Sequence, residues 1–313
     1  MAELRPHPDR LATTLADCLA PGPGGPFAPP GPDARAARID LKLRVAAFQA
    51  AAARSPAAAA HLAHWPAAAH PDLWAGAVPD LVARAFAVRL EEAIALAGPA
   101  PSAELPPFDP LRDQHFSGRE LRKKKDLLVA SATARVRFSR KEGLLCVLRD
   151  DALHVANCLW FDARRDLGTL DHFVPDPAER PRLFSAQFLQ PREYQVGGTT
   201  TRLRLTGRLG RGPIGWPCEL EIAASREQAG VALRLRLEHR HPGWRLRARF
   251  RGVPAGLLRH QCTDVADAVA QPSGGFLAYT LVRSCERLTV GAHSVAVPAA
   301  QCLGRLEHTF TLG

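Results

Sequence analysis

Eight arginines at alternating positions carry the chemistry most visible in this chain. They fall in Thr201-Arg-Leu-Arg-Leu205, in Val231-Ala-Leu-Arg-Leu-Arg-Leu237 and in Trp244-Arg-Leu-Arg-Ala-Arg-Phe-Arg251. In a strand, residues two apart share a face. Arg202, Arg204, Arg234, Arg236, Arg245, Arg247, Arg249 and Arg251 are therefore expected to point outward, with Leu and Phe inward. If these strands are neighbours, the arginines form a ladder that attracts phosphates or another polyanion. Nucleic-acid binding also uses aromatic stacking platforms, and Trp244 is the aromatic residue beside this ladder. The ordinary alternative is a solvated sheet face with cross-strand pairs to Glu219, Glu221 and Glu238.

Histidines and carboxylates come next. His239 and His241 would share a strand face and could both reach one metal ion, but no third ligand lies nearby in sequence and Pro242 signals a turn. His61 and His64 lie three apart without the glutamate that a helical zinc-protease motif needs. Asp150-Asp151, Asp162 with Asp166, and Asp264 with Asp267 could serve general acid and base work, yet each reads more readily as a turn or cap residue. There is no Gly-x-Gly-x-x-Gly, no phosphate-binding Walker loop and no Gly-x-Ser-x-Gly elbow. Neither a catalytic residue, a metal site nor a cofactor is assigned.

Two composition regimes position these residues. Residues 1–98 are rich in alanine and read as a small helical domain. Pro8 to Ala20 suits a short helix, with Leu11, Leu15 and Leu19 four apart, and Pro21 to Pro32 interrupts it. Asp33 or a neighbour is expected to cap a helix with a Leu41, Val45 and Phe48 stripe that leaves Arg38 mostly aside. Ser55-Pro56 begins another helix, which Pro66 ends. Asp80 to Ala97 is the most regular helix, with Leu81, Ala85, Val88 and Leu96 on a recurring face and Gly98-Pro99 as its stop. Residues 99–126 read as a proline-rich and basic linker ending near Lys123-Lys124-Lys125.

From Leu127 onward the period changes from about 3.6 to 2. Short alternating segments, such as Ala134-Arg-Val-Arg-Phe138, are separated by turn signals at Gly197-Gly198, Gly207, Gly210, Gly212-Pro213, Pro242-Gly243 and Gly274-Gly275. The fold class expected is α+β, a helical domain followed by a large antiparallel β-sandwich-like domain over 127–313. The basic excess lies there too. Residues 1–124 hold 14 Lys+Arg against 13 Asp+Glu, or +1, and residues 125–313 hold 27 against 18, or +9. A genome rich in G and C could produce the same arginine content, so charge alone is weak evidence for a polyanion partner.

Apolar residues make up 46% and charged residues 23%, a globular balance. No apolar run is long enough for a transmembrane helix, and the N-terminus lacks a basic segment followed by an apolar one. No membrane association is expected, and the location expected is cytoplasmic. The cysteines Cys18, Cys146, Cys158, Cys218, Cys262, Cys285 and Cys302 are odd in number with no Cys-x-x-Cys pair, which reads as buried free thiols in a reducing compartment.

Three segments of the β half resemble the C-terminal β region of glycoside hydrolase family 38, the retaining α-mannosidases. Asp166-Leu-Gly-Thr-Leu-Asp-His-Phe173-Val-Pro175 is similar to that family's Gly-Asp-x-Tyr-x-Phe/Tyr-x-Pro loop. His241-Pro-Gly-Trp-Arg245-Leu-Arg-Ala-Arg-Phe250 is similar to its Asp-His-Arg-Leu-Arg-x-x-Phe strand, with Trp244 where histidine is usual. Pro298-Ala-Ala-Gln301-Cys-Leu-Gly304, followed by His308-Thr-Phe310, resembles the ending of many bacterial members. Leu277 to Leu288 resembles the strand pair before it, and the order matches over about 125–313. The resemblance implies a carbohydrate-linked β domain. In that family the zinc ligands and the nucleophile belong largely to an N-terminal α/β domain, whose motifs are not visible here, so no catalytic residue is carried over.

The reading expected is thus a non-catalytic protein that binds a glycan or a partner glycosidase. Trp244 with Arg245 would be the sugar platform; Trp216, between Gly215 and Pro217, suits either a platform or a packed turn. The alternatives are a nucleic-acid or polyanion-binding protein and one subunit of a split α-mannosidase.

Overall fold

The structure is a computed structural model that describes residues 38–65, 73, 78–98, 114–148, 153–170, 172–210, 212–260, 275–290 and 292–313. The expected helix at Pro8–Ala20, the break at Pro21–Pro32, the cap at Asp33, the Pro99–Pro110 stretch, Asp150-Asp151, Asp264, Asp267, Cys18 and Cys262 lie outside the described residues.

Three helices share one apolar core: α1 (Ile39–Ala52), α2 (Pro56–Ala63) and α3 (Asp80–Leu96). The stripe of Leu41, Val45 and Phe48 is buried as its spacing predicts. Ser55 caps α2 by accepting a hydrogen bond from Ala58 N, with Pro56 in the first turn. On α3 the buried face is Val82, Ala83, Phe86, Ala87, Leu90 and Ala93. Leu81, Val88 and Leu96, expected inside, are exposed. The aromatic ring decides: Phe86 is fully buried and stacks on Trp65 at 5.3 Å, and the helix rotates to bury it. Arg38, expected beside the stripe, is also buried, donating to Val78 O at 2.9 Å and pairing with Asp80.

The remainder is rich in antiparallel sheet. In chain order the strands and the one further helix are β1 (Gln114–Ser117), α4 (Gly118–Lys123), β2 (Asp126–Ala130), β3 (Ala134–Ser139), β4 (Gly143–Leu148), β5 (Leu153–Val155), β6 (Leu159–Arg165), β7 (Arg182–Ser185), β8 (Gln190–Val196), β9 (Thr200–Leu209), β10 (Trp216–Ser225), β11 (Val231–His239), β12 (Trp244–Arg251), β13 (Leu258–His260), β14 (Phe276–Arg283), β15 (Arg287–Val290), β16 (His293–Ala296) and β17 (Gly304–Leu312). A seven-stranded sheet runs β1-β8-β9-β10-β11-β17-β13, one four-stranded sheet runs β14-β12-β6-β7, another runs β2-β3-β4-β5, and β15 pairs with β16. The inner faces of the three larger sheets share one core, with Phe138 and Leu144, Phe161 and Phe250, and Leu203, Trp216 and Phe310 contributed by different sheets.

Residues 114–123 were expected in a linker. Instead β1 pairs with β8 at the edge of the large sheet, and α4 buries Leu121 in the β core. The helices meet the sheets where Asp80, at the start of α3, accepts a hydrogen bond from Ala299 N at 2.9 Å. Among the described residues no helix is long and apolar enough to cross a membrane.

Candidate functional site

The three segments that resemble family 38 lie far apart in sequence, and the fold gathers them at one end of the four-stranded sheet. The 166–175 loop leaves β6 and folds back on itself, with Leu167 N bonded to Val174 O and Thr169 N to His172 O. Asp166 Oδ1 accepts from Gly168 N at 2.9 Å and from Val174 N at 3.3 Å, which sets the turn. Its Oδ2 accepts from Arg283 Nε at 2.7 Å. Arg283 also donates to Leu170 O at 3.1 Å and to Thr169 O. The ring of Phe173 lies under Arg245, 3.4 Å from its guanidinium carbon. The 298–301 turn closes the cluster. Gln301 Oε1 accepts from Gly243 N at 3.1 Å and from Ser284 Oγ, and Asp166 N donates to Gly243 O.

The eight alternating arginines do not form one ladder. Arg202 and Arg204 lie on β9 and Arg234 and Arg236 on β11, and β10 separates them with Glu219 and Glu221. The charges alternate across the large sheet. Arg204 pairs with Glu193 at 2.8 Å, and Arg236 sits between Glu219 at 3.0 Å and Glu307 at 2.8 Å. Arg202, Arg204 and Arg236 line a cavity of about 130 Å³ with Glu193, Glu219 and Glu221. Planar donors and acceptors therefore alternate there, and each arginine field is offset by a carboxylate one strand away.

Arg245, Arg247 and Arg249 lie on β12 in the other sheet, and the outward exposure expected of them is not found. Arg245 is 5% and Arg247 8% exposed. The face they occupy is covered by Phe173 and by Asp162, which accepts from Arg247 Nε at 2.9 Å and Nη2 at 2.8 Å. Arg249 lies over the Phe276 ring at 3.5 Å and is half-buried. Arg251 alone of this strand's arginines is exposed.

Trp244, expected as an exposed sugar platform, is 5% exposed and packs edge-on to Trp216 at 5.9 Å. Trp216 is fully buried and opens β10 rather than standing in a turn. Its indole Nε1 donates to His239 Nδ1 at 2.9 Å, and His241 meets its ring at 5.2 Å. The two histidines therefore bracket a tryptophan. Burial, assisted by the nearby His241, pushes the His239 pKa down to about 4, so the ring is neutral at pH 7. Among the described residues no three His, Cys, Asp or Glu side chains are placed to hold a metal ion. The carboxylates of Asp162 and Asp166 are both committed to arginines. The five described cysteines are buried, and no disulfide joins any two of them.

Arg164, Arg283 and Gln301 were not singled out as site residues. Arg283 closes an otherwise apolar strand, and Arg164 lies two residues after Asp162, so a cross-strand partner was the only clue to either.

No protein-family model matches this chain, and no curated protein matches it. Solved structures do. A protein in the glycosyl hydrolase family 38 from Enterococcus faecalis aligns with a TM-score of 0.61 at 12% identity, over 90% of this chain and 57% of its own. An alpha-mannosidase from Enterococcus faecalis V583 aligns with a TM-score of 0.62 at 11% identity, over 90% of this chain and 55% of its own. This chain has the fold of part of a family 38 glycoside hydrolase. It spans little more than half the length of either structure. Residues 125–313 are 189 of the 313, so a match over 90% of the chain also takes in residues before 125, beyond the stretch that the motifs cover.

Proposed function

We propose that this chain is a non-catalytic, carbohydrate-associated scaffold that works by associating with a catalytic partner glycosidase. The observation that carries the reading is the asymmetry of the fold match, which takes in 90% of this chain and only 55% to 57% of the two Enterococcus structures. A retaining glycosidase needs two positioned carboxyl groups near the scissile bond. Here Asp162 and Asp166 are held against Arg247 and Arg283 and stabilise the fold rather than face a substrate. A partner is favoured over direct glycan binding because the tryptophans that would stack on a sugar, Trp216 and Trp244, are buried in the core.

The test is an assay of the purified chain with an aryl α-mannoside, with and without zinc. No turnover above buffer is expected. Hydrolysis by the chain alone, abolished by a chelator, would overturn the reading. A calorimetric titration with mannobiose separates the two binding modes: no saturable heat is expected, and a saturating isotherm would make the chain a glycan binder itself.

A further inference from the structure

Two of the buried cysteines face each other across the junction of two sheets. Cys146 lies on β4, in the β2-β3-β4-β5 sheet, and Cys158 immediately precedes β6, in the β14-β12-β6-β7 sheet. They are twelve positions apart in sequence, and their sulfurs are 2.7 Å apart. Two unbonded sulfur atoms do not ordinarily come so close, and a disulfide needs only a further approach of about 0.7 Å, to roughly 2.05 Å. Backbone bonds on both sides fix the approach. Cys158 N donates to Leu144 O at 2.9 Å, two residues from Cys146 and on the same face of β4, and Cys158 O accepts from Arg251 N at 2.8 Å at the end of β12. Asn157, just before it, has a left-handed backbone (φ 47°) held by Ser185 Oγ on its side chain at 2.7 Å and by the Trp160 indole on its carbonyl at 2.8 Å.

We propose that Cys146 and Cys158 are an oxidation site, joined by a disulfide when the chain folds in the presence of a small disulfide oxidant, and that the bond clamps the two sheets together. The oxidant is of the glutathione class. One cysteine thiolate attacks a sulfur of oxidised glutathione, forming a mixed disulfide and releasing one glutathione thiolate. The other cysteine, as its thiolate, attacks the protein sulfur of that mixed disulfide, forms the Cys146–Cys158 bond and releases the second glutathione. The protein loses two protons and two electrons, and oxidised glutathione becomes two molecules of the reduced form. The step belongs to folding rather than to the finished core. Both residues are fully buried in the native chain, and the neighbouring Cys158 together with burial raises the Cys146 pKa, so the attacking thiolate is scarce there. The native packing then favours the closed bond, because it holds the two sulfurs together and keeps reductants out. The pairing is independent of the scaffold role, since it lies within the core and needs no partner or glycan.

The test is to refold the intact chain from urea in a mixture of reduced and oxidised glutathione, alkylate the remaining thiols, and digest with trypsin without reduction. Cleavage after Lys141, Arg149 and Arg164 places the two cysteines on separate peptides, 142–149 and 150–164. These peptides are expected as a linked pair that dithiothreitol separates. The oxidised chain should also unfold at a higher urea concentration than the reduced chain, because the link restricts the unfolded state. In Cys158→Ala the linked pair and that difference in midpoint should both disappear; if this variant does not fold, the peptide map of the unaltered chain decides. Recovery of both peptides singly and alkylated, or linked chiefly to other cysteines, would overturn the oxidation site. A linked chain that unfolds at the same urea concentration as the reduced one would overturn the clamp.

Discussion

Arg283 and Asp166 form an ion pair whose side chains are both wholly buried, with Nε and Oδ2 2.7 Å apart across 117 residues of sequence. Asp166 also accepts from two loop amides, and Arg283 donates to two loop carbonyls and lies 5.8 Å from the Phe173 ring. The pair thus ties the 166–175 loop to the end of β14. Removing one partner strands a charge in the core, so Arg283→Met is expected to lower unfolding stability by about 3–5 kcal/mol in a urea titration. The double variant Arg283→Met with Asp166→Leu should recover part of that loss, because no buried charge then remains. A single variant as stable as the parent would show that the loop is not held by this pair.

His239 makes stability sensitive to acid. Its Nδ1 accepts the Trp216 indole hydrogen, so the neutral ring carries its proton on Nε2, and protonation of Nδ1 breaks that bond. The folded pKa lies near 4, below the ordinary histidine value of 6.5. Between these values the unfolded chain binds a proton that the folded chain does not, so stability is present above pH 6.5 and falls as the pH drops toward 4. Full titration corresponds to roughly 3 kcal/mol. Urea midpoints measured from pH 7 to pH 4 should fall more steeply for the parent chain than for His239→Phe; parallel curves would remove His239 as the cause.

How much of this could be read in advance follows the environment of each strand. On β11 the alternation Val231 to Leu237 maps directly onto burial, because one face packs on the core and the other meets water. The same pattern on β12 misleads. Residue type reports that Arg245 and Arg247 are charged, but not that Phe173 and Asp162 come to cover them from more than seventy residues upstream. The large sheet carries a related lesson. Arg204 and Arg234 suggest a ladder until strand order places Glu221 between them, and strand order is a long-range property that no local period records. On α3, alanine on both sides leaves the apolar period ambiguous, and the position of Phe86 resolves it. The three family-like segments were legible in order, while their convergence through Gln301, Gly243 and Asp166 was not.

The charge ladder on the large sheet is expected to contribute little to stability. Arg236 lies between Glu219 and Glu307, but its side chain is 45% and that of Glu307 50% exposed. Water and salt screen such pairs, and each contributes about 0.2–1 kcal/mol. Arg236→Ala should therefore shift the urea midpoint only slightly at low salt, and less in 1 M sodium chloride. A loss comparable to that of Arg283→Met would mean that the ladder is a structural network rather than a solvated face.

Gly168 is the position where the 166–175 loop tolerates no side chain. A β-carbon there would lie 1.9 Å from His172 O and 2.8 Å from Val174 N. Both are backbone atoms, and both belong to the loop's own bonds: His172 O accepts from Thr169 N, and Val174 N donates to Asp166 Oδ1. The loop cannot give way without losing those bonds, the Asp166 turn and the seat of Arg283. Gly168→Ala is expected to destabilise the chain by about 1–3 kcal/mol, the range for forcing extra volume into a packed site. Limited proteolysis should show the first new cut within residues 166–175, since local opening precedes global unfolding where contacts have been lost. Gly198→Ala supplies the control, with nothing within 4 Å of its added carbon. If Gly168→Ala and Gly198→Ala unfold at the same urea concentration with the same cleavage pattern, the loop is not the rigid lock that its hydrogen bonds describe.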